Sequence, residues 1–590
     1  MKKLKEMKLR NNIESLQSMK LGLTIIRFGN NMYCRLTLIF IISVFTISQP
    51  IWAQELEIEE DGEIQTGEII IEKDRTIVLP QARKLYEKVK APEFKIEASK
   101  IDSKFKAFEY SPTVKLPTLS AAIPKTENSK EDIYDHYFKV GYGNFNSPLI
   151  QADLNLITDK DKSFRAKFDH LSFGKGAKDG KNSASGYTNA GIDGKVIGDN
   201  MTFTTGVGYT TTTDHFYGYQ DGLIFDPKDI RHKYDNIGAY MAVEDNDAKN
   251  DIDYSLQVGY NSLKDNFSAS ESLIDIGAGF NYGKTIFLDG QFILSKYKQT
   301  SFNLSRNFLR VNPYYRIDLG DGFVDAGFSF SSISGGTESF GSSAIFPYAK
   351  ANYSISSHMN VFAELDGGMS FNSYADYVNE NPYLRDDLDI QSSRVNYKFK
   401  AGTAIKPVQQ FALEAYLQIQ SIKNMGMYYN DLPDTTDFQV AYIAENTDVF
   451  EFGSRITINI NTANSIGLSA AVMNYSSERV QNFYNLPTSK VELTGNHKIM
   501  NKLTIGWQFN FLGGLKGVDP TRGLLFIPFE DSITEKMSAI TELNLNFDYQ
   551  INDRVGAFLQ FNNILNKNYE QYFNYPMRGL QVKGGVTFRM

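Results

Sequence analysis

From about residue 136 onward, apolar and polar side chains alternate with a period of two in about twenty-two stretches, each long enough for a strand and each bounded by turn residues. The pattern is cleanest late in the chain. Leu503, Ile505, Trp507, Phe509 and Phe511 oppose Thr504, Gly506, Gln508 and Asn510; Leu543, Leu545, Phe547 and Tyr549 oppose Glu542, Asn544, Asn546 and Asp548. A whole face of Glu, Asn and Asp is incompatible with a dry core, where unpaired polar groups cost several kcal/mol each, but it can line water. Repeated around a closed sheet, the pattern gives an apolar exterior, a hydrated lumen and no free edge. It predicts an all-β fold: a transmembrane antiparallel β-barrel of about 22 strands over residues 136–590.

The last stretches supply a closing hairpin. Val555, Ala557, Leu559 and Phe561 fall on one side of a strand, and Gly556, Phe558, Gln560 and Asn562 on the other. A further strand sets Leu580, Val582, Gly584, Val586 and Phe588 against Gln581, Lys583, Gly585, Thr587 and Arg589. The connections sort into two classes. Short turns such as Asp159-Lys160-Asp161, Gly198-Asp199-Asn200, Gly283-Lys284 and Gly320-Asp321-Gly322 alternate with mostly longer loops such as 174–186, 214–234, 373–393, 424–447 and 514–537. In outer-membrane barrels the short turns are periplasmic, which places both termini in the periplasm of a Gram-negative cell.

Upstream of the barrel the character changes. Arg35 precedes the apolar run Leu36 to Ile47, too short to span a bilayer but suited to a signal peptide, and Ile51-Trp52-Ala53 offers a cleavage site before Gln54. Residues 1–53 thus read as a signal peptide, with Met32 as an alternative start. Residues 54–135 open on the acidic run Glu55 to Asp61 and then space Pro80, Pro92, Pro112, Pro117 and Pro124 among Lys and Glu, which predicts an extended periplasmic segment with little core of its own.

Composition sharpens this picture. Hydrophobic residues are 42% of the chain, too few for a helical membrane protein, while 42 Phe, 34 Tyr and 45 Gly suit interfacial girdles and close-packed strands. Residues 1–53 carry a net +6, so their removal takes the formal charge from −8 to −14 and argues against a nucleic-acid partner. The sole cysteine, Cys34, precedes the apolar run, which leaves the mature chain without a disulfide or thiolate site.

The hairpin Phe561-Asn562-Asn563-Ile564-Leu565-Asn566-Lys567-Asn568-Tyr569 with the strand Gly579 to Phe588 resembles the C-terminal end of TonB-dependent receptors, and about twenty-two strands is that family's barrel size. Tyr137-Phe138-Lys139-Val140-Gly141-Tyr142-Gly143-Asn144-Phe145, with His170-Leu171-Ser172-Phe173-Gly174, more closely resembles a plug-less branch of such barrels. The resemblance implies an outer-membrane barrel in solute transport or binding. The receptors carry a folded plug before the barrel; residues 54–135 are too few and too interrupted by proline for one. Energised uptake, which the plug gates, is therefore not carried over. The alternative is a non-transporting structural or assembly subunit of an outer-membrane complex, working through its surfaces.

Candidate chemistry is sparse. His136, His170, His215, His232, His358 and His497 are scattered. His215 and His232 share a loop with Asp214, Asp221, Asp226 and Asp229, a weak cation site or, more simply, solvated loop charge. No metal, cofactor or catalytic residue is expected, because no Ser, His and acid come from one strand pair. The clusters Asp386-Asp387-Leu388-Asp389 and Asp431 to Asp437 are expected on the outer side, hydrating loops or holding ions that bridge lipopolysaccharide. Phe216-Tyr217-Gly218-Tyr219, Met427-Tyr428-Tyr429 and Phe483-Tyr484-Asn485-Leu486-Pro487 are expected chiefly in the outer interfacial girdle, with a ligand platform as the alternative.

Two apolar bursts stand out in the segment 54–135: Ile69, Ile70 and Ile71, then Ile77, Val78 and Leu79. Apolar bursts in an exposed tail either add as strands to a partner or line the lumen near the periplasmic mouth; residues 68–79 are expected to dock a periplasmic or outer-membrane protein, an energy-coupling protein being one candidate. Replacing Ile70 and Val78 together with Asp should abolish co-purification of that partner and leave barrel insertion intact; a doubly substituted protein that keeps all its partners refutes the assignment.

Overall fold

The computed structural model describes residues 136–158, 161–247, 251–336, 340–430, 436–518 and 534–590. The expected signal peptide, the segment 54–135 and its apolar bursts lie outside these residues. Twenty-two long strands run in sequence around one sheet. They are β1 His136–Gly143, β2 Ser147–Thr158, β3 Lys162–Phe173, β4 Ser185–Ile197, β5 Met201–His215, β6 Arg231–Asp245, β7 Ile252–Asp265 and β8 Ser270–Tyr282. They continue with β9 Ile286–Lys298, β10 Asn303–Asp318, β11 Gly322–Ser334, β12 Ser343–Ser356, β13 Met359–Ser370, β14 Ser393–Val408 and β15 Phe411–Asn430. The remainder are β16 Phe438–Asn461, β17 Asn464–Ser477, β18 Ser489–Ile499, β19 Leu503–Gly513, β22 Ile540–Gln550, β23 Val555–Asn562 and β26 Gln581–Arg589. Two small hairpins, β20 Lys516–Val518 with β21 Thr534–Lys536 and β24 Glu570–Tyr572 with β25 Tyr575–Pro576, sit in the loops.

Each barrel strand pairs antiparallel with its neighbours in the sheet, and β1 pairs with β26, so the sheet has no edge. Closure is completed by His136 N–H donating to Met590 O at 2.9 Å and Met590 N–H donating to His136 O at 3.0 Å. At this seam Gly141 faces Gly585. A Cβ on Gly585 would lie 2.0 Å from Val140 O, and one on Gly141 would lie 2.5 Å from the Phe558 ring, so glycine lets the first and last strands close beneath that ring.

The register separates two faces. Val586 and Phe588 are about 40% exposed (39% and 41%), whereas Lys583 on the opposite face is only 4% exposed. Val140, Ile192, Val207, Met241, Leu417 and Val472 likewise present bare apolar surface outward. The other face is polar and internally bonded. Gln508 Nε2 donates to Glu492 at 2.8 Å, Gln151 Nε2 to Asp169 at 3.2 Å and Arg316 Nε to Asp325 at 2.6 Å. An apolar outside around a polar inside is the arrangement of a barrel solvated by lipid, and the alternation dictates it.

Short connections gather at one mouth and most of the long ones at the other. The short mouth uses tight turns: Gly283 and Lys284 both have positive φ, as do Met500 and Asn501, the geometry whose twist matches paired strands. Two strands outrun the expectation. β15 and β16 extend to residue 430 and back from 438, where termination near 423 and 448 is the simpler reading of the alternation; their tips are buried by loops at the long-loop mouth.

The two faces predict an asymmetry. Val207→Arg, on the lipid side, should destabilise the barrel by about 2–4 kcal/mol in lipid vesicles, whereas Gln257→Arg, on the lumenal side, should cost about 1 kcal/mol or less. Denaturant midpoints of the two variants check it; equal losses would contradict the division into a lipid face and a lumenal face.

Candidate functional site

The long-loop mouth is closed by its own loops. The segment 371–392, between β13 and β14, crosses it and meets strands from both sides. Tyr374 OH donates to Asp265 Oδ2 at 3.3 Å and Tyr297 OH to Asp386 O at 2.7 Å, while Tyr428 OH on the far wall donates to Glu380 Oε2 at 2.9 Å and Tyr572 OH in the last long loop to Glu380 O at 2.6 Å. Together with residues 216–230 and 563–580, this segment forms a cap whose core includes Tyr217, Tyr219, Tyr374, Tyr377, Tyr383 and Tyr575. The Tyr383 and Tyr575 rings stack 3.8 Å apart, and Tyr217 meets Tyr575 at 4.8 Å and bonds Tyr383 through the hydroxyls at 3.4 Å. Tyrosine suits a core made of loops: each ring buries a large apolar area, and its hydroxyl satisfies a backbone group that no strand partner reaches. Burial pushes the Tyr217 hydroxyl up to about 12.

The cap has a defined anchorage. Its helix, Tyr374–Glu380, starts at Ser373, whose Oγ accepts from Asp376 N–H at 3.0 Å while the Asp376 carboxylate accepts from Ser373 N–H at 2.9 Å, a capping box. Glu271 of β8 adds its charge to the same helix end, accepting from Ala375 N–H at 3.1 Å and from Ser295 Oγ at 2.8 Å. Arg306 of β10 is wholly buried and clasps both ends of the crossing segment: Nη2 donates to Asn372 O at 2.5 Å and Nη1 to Ser392 Oγ at 3.5 Å, with the guanidinium 4.4 Å above the Phe371 ring. On the far wall Asn424 Nδ2 donates to Ser392 O at 2.9 Å. Beneath the cap lies a polar chamber of about 670 Å³, lined by Asp275, Gln291, Arg310, Asp366, Lys398 and Gln418 among others. Arg310 reaches Asp366 at 3.1 Å, and Gln291 reaches both oxygens of Asp275 at 3.1 and 3.0 Å. Such an arrangement can hold a polar solute by hydrogen bonds and charge.

The structure corrects several expectations. Tyr217, Tyr219, Met427 and Tyr428 are buried in loop cores, as are Phe483, Tyr484 and Leu486, so these stretches fill the mouth instead of forming a girdle or an open ligand platform. Sequence alone cannot tell an aromatic at headgroup depth from one folded over the lumen. His215 and His232 end β5 and begin β6 and are buried, not solvated: His215 Nδ1 lies 2.8 Å from Ala184 O, and His232 Nε2 lies 3.4 Å from Asp265 with its ring against Tyr234. Among the described residues no group of three or more His, Cys, Asp or Glu is placed to hold a metal. Asp386 and Asp387 belong to the cap, the former accepting from Ser268 Oγ at 2.6 Å and the latter paired with Arg385 at 2.8 Å. Residues 431–435 lie outside the described residues. Arg306, Glu271, Tyr374 and Tyr377 are the members that the sequence did not disclose. The Ser373-x-x-Asp376 pattern, with three tyrosines among residues 374–383, was the available signal for a folded loop.

The sequence matches no protein-family model and no characterised relative. Among solved structures, the barrel is similar to the ferric-catecholate import receptor Fiu of E. coli K12, with a TM-score of 0.57 at 10% identity over 78% of this chain and 82% of that one. It is similar to the FrpB iron transporter of Neisseria meningitidis, F5-1 variant, at a TM-score of 0.58 and 10% identity over 78% and 82%. It is also similar to the pyoverdine outer membrane receptor FpvA of Pseudomonas aeruginosa PAO1, at 0.57 and 11% identity over 78% of both chains. Identities this low show a likeness of barrel fold and nothing beyond it.

The cap contains a titrating group. Glu380 is enclosed in its lower face, and burial pushes its carboxyl up to about 8, partly offset by the hydrogen bond from Tyr428; Asp376 adds to the rise and Lys490 opposes it. A carboxyl whose folded pKa is raised holds its proton better in the folded cap, so cap stability should fall as pH climbs from the ordinary carboxylate range to about 8 and level off beyond it. Limited proteolysis of residues 371–392 should therefore be faster at pH about 8.5 than at pH about 5.5 in the wild type and nearly pH-independent in Glu380→Gln. Equal slopes in the two proteins would remove Glu380 as the cause.

Proposed function

We propose that this chain is an outer-membrane receptor-type barrel that admits and passes a polar solute, with both termini periplasmic and the loop cap as the outer gate. The observation that carries this reading is the polar chamber of about 670 Å³ directly under a cap built from loops and anchored on two walls of the barrel. A 22-stranded barrel is wide enough that its lumen must be occupied to prevent leakage, and porins with fewer strands already conduct. The likeness in fold to structures named as iron, ferric-catecholate and pyoverdine receptors supports a solute-binding role. The solute itself is not carried over from those proteins. A second reading, a non-transporting structural or assembly subunit, is favoured by one observation: the aromatic loops that would make a ligand platform are spent on each other inside the cap.

Planar-bilayer conductance separates the two. The intact protein should conduct little, and replacing residues 373–391 by a short Gly-Ser linker should open it, with heat-modifiable gel mobility confirming that the barrel is folded. The same replacement in a chain lacking residues 54–135 tests whether that segment also occludes the lumen. If the folded barrel without both elements remains silent, the transport reading fails and the assembly reading stands.

A further inference from the structure

Many charges on the lumenal wall are matched, although Arg306 and Arg394 are each held over an aromatic ring without an ion pair among the described residues. Arg165 pairs with Asp193 at 3.2 Å, Arg310 with Asp366 at 3.1 Å, Arg316 with Asp325 at 2.6 Å and Lys350 with Glu364 at 3.1 Å. The wall at the closing seam gathers three unmatched cations. Lys139 of β1, Lys583 of β26 and Arg578 just before β26 make no ion pair among the described residues. The two lysines are 8% and 4% exposed, and what supports them is aromatic: Lys139 Nζ stands 4.1 Å over the Phe558 ring, while Lys583 Nζ at 5.0 Å and the Arg578 guanidinium at 4.1 Å share Phe173. Arg578 Nη2 donates to Ser185 Oγ at 2.6 Å and Ser183 O at 3.2 Å, but its Nε is buried with no hydrogen-bond partner. Asp548 lies in electrostatic range of Lys139, and Asp214 of Arg578, neither at ion-pair distance.

Cations held close to one another and away from water are costly unless something negative completes them. Register gives the order of these three. Lys139 faces Thr587, and Gly143 faces Lys583, so the lysines stand four residues apart along the strand direction, roughly 13 Å. Arg578 follows beyond the end of β26 and lines a second cavity, of about 310 Å³, against the underside of the cap, together with Tyr217, Tyr383 and the carboxyls Asp214 and Glu380.

We propose that Arg578, Lys583 and Lys139 form an oxyanion-binding track down the seam wall, taking the carboxylate or phosphate group of a solute from beneath the cap into the lumen. The inference rests on the reading of the lumen as a solute path and deepens it by assigning the solute an anionic group. Arg578, which lines the cavity under the cap, receives the anion first; Lys583, on the same aromatic ring, accepts it next, and Lys139 lies below. Phe173 and Phe558 hold the cations in place without neutralising them, as a carboxylate would.

Isothermal titration of the full-length protein in detergent with succinate and, separately, inorganic phosphate tests the track. Two arms distinguish a carboxylate from a phosphate preference. At least one probe should bind; Lys583→Met should weaken it at least about tenfold, the loss of a charge-assisted hydrogen bond, and Arg578→Met with Lys583→Met should abolish it. Lys583→Arg should retain binding, and Lys350→Met, at a matched site elsewhere on the wall, should leave it unchanged. Heat-modifiable mobility of each variant guards against misfolding. Binding of neither probe to the wild type, or equal effects of the Lys583→Met and Lys350→Met changes, overturns the assignment. Because binding is read without conductance, a barrel that binds anions but stays silent when uncapped would sink the transport reading and leave the site standing.

Discussion

The structure depends on the hydrogen-bonded closure of β1 onto β26. In hydrocarbon an unpaired backbone N–H or C=O costs several kcal/mol, so an open edge of even one strand would be prohibitive. The closure is made by seven facing residue pairs from Tyr137–Arg589 to Gly143–Lys583, with the termini of both strands tied at His136 and Met590. The short seam constrains its own side chains. Gly141, Gly143 and Gly585 admit the partner strand, and Phe558 covers the gap from inside. The cations of the seam wall are therefore set by the same local geometry that lets the barrel close.

Closure at this circumference creates a second constraint, an interior too wide for opposing walls to fill. The barrel meets it in two ways. Along the wall, polar side chains bond one another across neighbouring strands, as in Arg316 with Asp325 and Lys400 with Glu414, and so tolerate water. At the long-loop mouth, loops fold inward around a tyrosine core, and the buried Arg306 and Glu271 convert a flexible crossing into a fixed one. Losing either would leave its partner buried without compensation, the arrangement in which a single side chain decides whether a loop is ordered.

The two devices suit different tasks. Backbone pairing is uniform around the wall and resists opening at any point, whereas the cap is held mainly by side-chain contacts, with one short helix and a single backbone bridge to Phe438 at the start of β16. Motion is therefore expected where stability is side-chain-based, at the cap, while the wall stays rigid. The chamber under the cap and the track on the seam wall both open onto the space that such a motion would expose.

Much of this was legible in the sequence. The period-two alternation fixed the class, the strand number, which side chains meet lipid and the sorting of short and long connections, because each is a local consequence of a strand having two faces in two solvents. Leu503 to Phe511 and Leu543 to Tyr549 lie on the faces that their pattern assigns. The loops were not legible. Nothing local distinguishes Tyr217 or Tyr484 at headgroup depth from the same residue folded over the lumen, or His232 in water from His232 packed between Phe216 and Tyr234. Nor does any local pattern bring Arg306 to both ends of 371–392 or set Lys583 and Arg578 on one ring. Those contacts join residues that only barrel closure makes neighbours, and tertiary structure alone decided them because the side chains answer to the space enclosed, not to the chain beside them.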